Sequence, residues 1–140
     1  TVAGIEPQAA AMRDRMAASH GQPPNIAFVD ATANGLALKP ESRAKVKEWM
    51  LATDARVSAQ AMYEDMTTDV TADLPKIAAP LTVVVPFGGR LSEEQAKAMY
   101  GAAYATAPNA KIVTVGDSAH FVMLDQPAAF AAAVTAFLGK

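Results

Sequence analysis

The chain has no cysteine among its 140 residues. No disulfide, thiolate nucleophile or zinc–thiolate site can form within it, and the compartment is left open. No apolar run approaches ~18 residues, so no stretch is long enough to span a membrane. An excess of charge is also lacking. The net charge of −2 gives no electrostatic reason to bind nucleic acid or an anionic membrane. The one basic cluster, Arg43, Lys45 and Lys47, is flanked by Glu41 and Glu48 and reads as a solvated helix face. Metal-ligand spacing such as His-x-x-x-His does not occur. Phe87-Gly88-Gly89 is too short for a phosphate loop and precedes no Lys-Ser/Thr. No cofactor and no metal are therefore expected. Finally, there is no Gly-x-Ser-x-Gly, so the strained turn that presents a serine nucleophile is not encoded here.

What is present is an apolar, alanine-rich chain. At 51% apolar content it is built to fold, and its length suits one ordinary core. Residues 6–19 predict a helix, with Ala9, Met12 and Met16 at helical spacing. Gly21 to Gly35 reads as a loop broken by Pro23, Pro24 and Asn34-Gly35, with Ile26-Ala27-Phe28-Val29 as an extended segment. Residues 41–53 and 55–66 predict two further helices. Val46, Trp49, Met50 and Thr53 share a face of the first, and Ala59, Met62, Tyr63 and Met66 a face of the second.

The character changes after Leu74-Pro75-Lys76-Ile77-Ala78-Ala79-Pro80. Leu81-Thr82-Val83-Val84-Val85 is a continuous β-branched run, suited to a strand buried on both faces of a parallel sheet. Ser92-Glu93-Glu94-Gln95 is a capping box that opens a helix over 92–106. Met99, Tyr100, Ala103 and Ala107 make its expected buried stripe. Lys111-Ile112-Val113-Thr114-Val115 predicts a second strand. A last helix begins near Gln126, with Phe130, Val134, Phe137 and Leu138 as its inward face. Strand, helix and strand over 81–115 read as a parallel crossover unit. Two parallel strands cannot make a covered sheet alone, so their outer edges call for further strands.

Between the second strand and the last helix lies Asp117-Ser118-Ala119-His120-Phe121-Val122-Met123-Leu124-Asp125-Gln126-Pro127. A histidine on a short turn at that place, with the elements from Asp73 to Lys140 around it, resembles the end of the α/β-hydrolase fold. Residues 1–72 resemble the helical cap that this superfamily inserts before its last two strands. The resemblance implies two parts: a cap or lid segment over 1–72, and the C-terminal βαβα part of the core over 73–140. It implies a serine-type ester or amide hydrolase. His120 is its general base, taking a proton from a serine on another part of the protein and returning it to the leaving group. Backbone amides beside that serine would hold the oxyanion.

One departure from the family pattern stands out. The acid is usually found about nine residues past the proline that opens the penultimate strand. Counting from Pro80 reaches Gly89, in Pro86-Phe87-Gly88-Gly89-Arg90, which has no carboxylate. Loss of the orienting acid typically lowers the rate about 10⁴-fold. Four readings follow: the acid lies after the preceding strand, upstream of this chain; it is Glu93 or Glu94 reaching back; it is Asp117 in the turn itself; or there is none. Thr1 opens a separate possibility, since an N-terminal threonine can be a nucleophile with its own amino group as base. Phe28, Trp49, Met50, Met62 and Tyr63 are candidates to line an apolar acyl pocket under the cap. His20, beside Gly21 in a polar stretch, reads as a surface or cap residue.

The expectation is a fragment or subunit of an α/β-hydrolase that takes a small acyl substrate. Its partner would be the N-terminal portion of the same precursor, present as a second chain after proteolytic processing. A catalytically silent binding protein of the same fold and an N-terminal-threonine hydrolase are the alternatives. No signal peptide opens the sequence, and in a C-terminal piece any such signal lies upstream. Location is therefore left open.

Overall fold

The structure is a computed structural model that describes residues 2–89 and 91–139, with only the backbone of residues 2 and 3. It opens with four helices: α1 (Val2–Ala18), α2 (Ile26–Leu36), α3 (Pro40–Ala52) and α4 (Ala55–Thr67). α1 packs along α4, and α2 along α3. A 3₁₀ turn, Thr71–Lys76, leads into β1 (Leu81–Pro86), α5 (Glu93–Ala103), β2 (Ala110–Val115), the single turn α6 (Val122–Asp125) and α7 (Pro127–Phe137).

The β-branched run forms the strand its pattern requires. β1 and β2 pair in parallel from Leu81 opposite Ala110 to Pro86 opposite Val115, with α5 crossing between them. Val85 is fully buried and Val115 nearly so. α5 starts at a complete capping box. Ser92 Oγ accepts from the Gln95 N–H at 3.2 Å, and Gln95 Oε1 accepts from the Ser92 N–H at 3.0 Å. The helix ends at Ala103, short of the expected 106. Pro108 bars the helical conformation just ahead of it, and the chain unwinds through a turn before β2.

Two expectations are corrected. Ile26–Val29 is helical, not extended, and most of the expected loop is α2. Asn25 stands in extended conformation, and its side chain accepts from the Phe28 N–H at 3.1 Å. That cap, placed after Pro23-Pro24, starts the helix. Val29 and Ala33, four residues apart, are its buried face, while Asn34-Gly35 sits in its last turn. The second correction concerns apolar stripes. Val134, Phe137 and Leu138 of the closing segment are 38%, 50% and 58% exposed, and Phe130 is half-buried. Met99 and Ala103 of α5 are exposed as well. Two strands offer too little surface to cover two helices. Val134 and Phe137, with Pro80, Leu81, Val84 and Phe130, instead line an open groove of about 390 Å³.

A cluster of buried apolar residues lies where the helical segment meets the turn after β2. Ala33, Ala37 and Val46 are buried together, and Leu36, Met50, Phe121 and Leu124 pack against them. This cluster brings the α2–α3 junction to the histidine turn.

Candidate functional site

The turn between β2 and α6 is fixed at several points. Gly116 lies against the Phe87 ring so closely that a Cβ there would stand 2.8 Å from Phe87 Cζ. The Phe87 N–H donates to the Val115 carbonyl at 3.0 Å. Asp117 adopts a left-handed backbone with φ of 49°, and Gln126 Nε2 donates to its carbonyl at 3.0 Å. Ser118 is buried, and its hydroxyl donates to the Val115 carbonyl at 2.8 Å. The loop after β1 runs alongside. A Cβ on Gly88 would lie 3.4 Å from the Asp117 nitrogen, and Gly88 keeps a φ of 122° that suits glycine.

His120 stands out of this turn. Its side chain is exposed and makes no hydrogen bond among the described residues, so both ring nitrogens are open to a partner. The ring meets Phe121 edge-on, with centroids 5.0 Å apart and planes at 90°. The backbone is held on either side of it. The Ala119 N–H donates to Asp125 Oδ2 at 3.0 Å, and the Phe121 N–H donates to the Leu36 carbonyl at 3.2 Å.

Asp125 is the centre of the arrangement. It is wholly buried, yet its carboxylate accepts from three backbone amides. The Leu38 N–H lies 3.1 and 3.0 Å from its two oxygens, the Lys39 N–H is 3.1 Å from Oδ1, and Ala119 completes the set. Burial pushes the carboxyl pKa up. The amides of Leu38, Ala119 and Lys39 outweigh that and hold it below the ordinary aspartate value. The buried Ser42 hydroxyl lowers it further, although it falls short of hydrogen-bond geometry and finds no other partner among the described residues.

The other candidates are dispersed. Trp49 meets Phe121 edge-on with centroids 5.7 Å apart, and Met50 joins the cluster beneath the same ring. These two belong to the wall of the histidine turn. Tyr63 faces α1, where its hydroxyl donates to Glu6 at 3.3 Å and the Arg13 guanidinium lies 4.7 Å from its ring. Met62 and Phe28 are exposed. Asp117 shares the turn with His120, but no hydrogen bond joins the two. Glu93 bonds Thr114 Oγ1 at 2.8 Å and Lys97 at 2.6 Å. Lys97 first, and Thr114 after it, hold its carboxyl below the usual value. Thr1 lies outside the described residues. His20 Nδ1 sits 3.3 Å from Asp54, the residue that caps α4, as a surface position predicts. No group of three metal-ligating side chains occurs among the described residues.

In the sequence, Asp125 shows no role of its own within the Leu124-Asp125-Gln126-Pro127 run. The available signal was a lone carboxylate directly after Phe121-Val122-Met123-Leu124, where burial demands compensation.

No family model matches the chain, and no curated protein does. Solved structures do match. A thermophilic esterase from Thermogutta terrifontis, solved with malate bound, aligns over 95% of this chain with a TM-score of 0.74 and 24% identity. MenH from S. aureus aligns over 96% with a TM-score of 0.70 and 15% identity. The enol-lactonase from Burkholderia xenovorans LB400 aligns over 90% with a TM-score of 0.70 and 20% identity. The fold is that of an α/β-hydrolase, in its C-terminal part. The chain spans about half the length of the solved structures it matches, 50%, 53% and 49% of them respectively. Gly89, the position that the resemblance assigns to the acid, carries no side chain. In this structure Gly89 has a φ of 56° and packs under the Leu38 side chain, in a tight turn.

Proposed function

We propose that this chain supplies the general-base histidine and the helical cap of a serine-type α/β-hydrolase acting on a carboxylic ester or amide. The nucleophile is carried by another part of the protein, most simply the N-terminal portion of the same precursor as a second chain. One observation carries the reading. His120 stands exposed beyond the end of β2 with both ring nitrogens open, while the backbone on each side of it is tied down. A general base needs that combination of a free ring on a fixed stem. In the reaction one ring nitrogen accepts the serine proton as Oγ attacks the acyl carbon. The same proton then goes to the leaving alcohol or amine, and a water repeats the cycle to release the acid. Trp49 and Phe121 give the turn an apolar flank for an acyl group.

Two features support a second chain. Each strand has one edge without a strand partner among the described residues. The groove between β1 and α7 is apolar and open. Strands added beside β1 would pair that edge and cover Phe137 and Val134.

The test is turnover of a chromogenic acyl ester by the complete protein. His120→Ala should lower kcat/KM by about 10⁴-fold. Full activity in that variant removes the proposed mechanism. A silent α/β-hydrolase-fold binding protein is the competing reading, favoured by the lack of any carboxylate bonded to His120 among the described residues. No turnover of any acyl ester by the complete protein, with acyl compounds still bound, selects it.

A further inference from the structure

We propose that Asp125 is the positioning residue of the histidine turn, its buried carboxylate fixing the direction of the His120 imidazole and tying it to the helical segment at Leu38–Lys39. The inference rests on reading His120 as the general base. It begins from a carboxylate that is fully buried and, among the described residues, has no ion-pair partner. Such a group persists only where donors replace its hydration. Here the donors come from two stretches some 80 residues apart in sequence: Leu38 and Lys39 at the α2–α3 junction, and Ala119 next to the histidine.

Those bonds close a loop around His120. One residue before it, the Ala119 N–H is held by Asp125. One residue after it, the Phe121 N–H is held by the Leu36 carbonyl. Leu36 and Leu38 belong to the same junction. The junction therefore grips the turn twice, once directly through Leu36 and once through the carboxylate. With the backbone fixed, the imidazole keeps only its side-chain rotations, and the Phe121 ring edge at 5.0 Å narrows those. Asp125 does not bond His120 itself. Its oxygens are taken by backbone amides, so it acts through Ala119 and is not the triad acid. A shift of the α2–α3 junction would be passed to the base through the same bonds.

The test uses the intact protein with Asp125→Asn, which keeps the shape but turns an NH₂ group toward backbone N–H donors. The imidazole signals of His120 are assigned by NMR as those that vanish in His120→Ala. In the unaltered protein the Phe121 ring shifts those signals. In Asp125→Asn that shift should collapse, and amide exchange at Leu38, Lys39 and Ala119 should quicken about tenfold or more. Ester turnover should fall in kcat by about 100-fold with KM within about twofold. Faster exchange with unmoved His120 signals and unchanged kcat would make Asp125 a plain anchor and overturn the proposal. If Asp125→Asn does not fold, Lys39→Pro serves. Its φ of −80° suits proline, and it deletes one amide from the carboxylate while leaving Asp125 in place. Displaced His120 signals in that variant support the coupling, and unmoved signals in a folded Lys39→Pro sink it. The NMR result does not need turnover. Failure of the hydrolase reading shows separately, as full activity in His120→Ala.

Discussion

A buried aspartate is unfavourable until its surroundings replace water, and at Asp125 backbone amides do most of that. Three amide groups give the carboxylate four short contacts, and the pKa falls despite burial. The direction of that shift fixes a pH dependence. A carboxyl whose folded pKa lies below the unfolded value, about 3.9, contributes stability that is complete above that value. The contribution is lost as pH falls through the folded pKa. The unaltered protein should therefore exceed Asp125→Asn in unfolding free energy by about 3 kcal/mol near neutrality. The gap should be flat above about pH 5 and shrink below about pH 4. Denaturant titrations across that range check it, and a gap that does not narrow in acid would mean that the carboxylate charge is not what the amides hold.

At the scale of elements, the strongly patterned pieces were legible. The β-branched run at 81–85, the capping box at Ser92–Gln95 and the histidine on a short turn between strand and helix all took the predicted form. α2 did not. Asn34-Gly35 carries a strong turn signal, and Ile26–Val29 alone is too short to show a period. The deciding residue was Asn25, whose cap outweighs the glycine ten residues on. Asn25→Ala should cost about 1 kcal/mol of stability, whereas Asn34→Ala, exposed within the helix, should be near neutral. Equal effects of the two in urea midpoints would assign the helix start to something other than the cap. The role of Asp125 was hidden for a different reason. Its partners Leu38 and Lys39 lie 87 and 86 residues away, and no local pattern predicts a contact at that separation.

The whole chain carries more surface than its mass explains. A compact monomer of 14.6 kDa exposes about 6,900 Å². This chain exposes 9146 Å². The excess, about 2,200 Å², is of the size that one side of a large obligate interface contributes. Its chemistry fits as well. Among the described residues, the fully buried apolar positions are alanines and two valines, Val46 and Val85, while Phe137, Leu138, Val134 and Met99 face outward. A core made of small residues with the large ones outside is inverted unless something covers the outer ones. The open edge of β1 and the groove beneath α7 lie together, so added strands and their helices would cover both at once. Residues 1–140 expressed alone should therefore self-associate or unfold without a sharp transition. Co-expression with the sheet-bearing portion should give a stable complex burying well over ~2,000 Å². Sedimentation and calorimetry decide between outcomes. A monodisperse monomer with a cooperative transition would mean that these helices close the fold themselves, and it would remove the second chain and the serine it is proposed to bring.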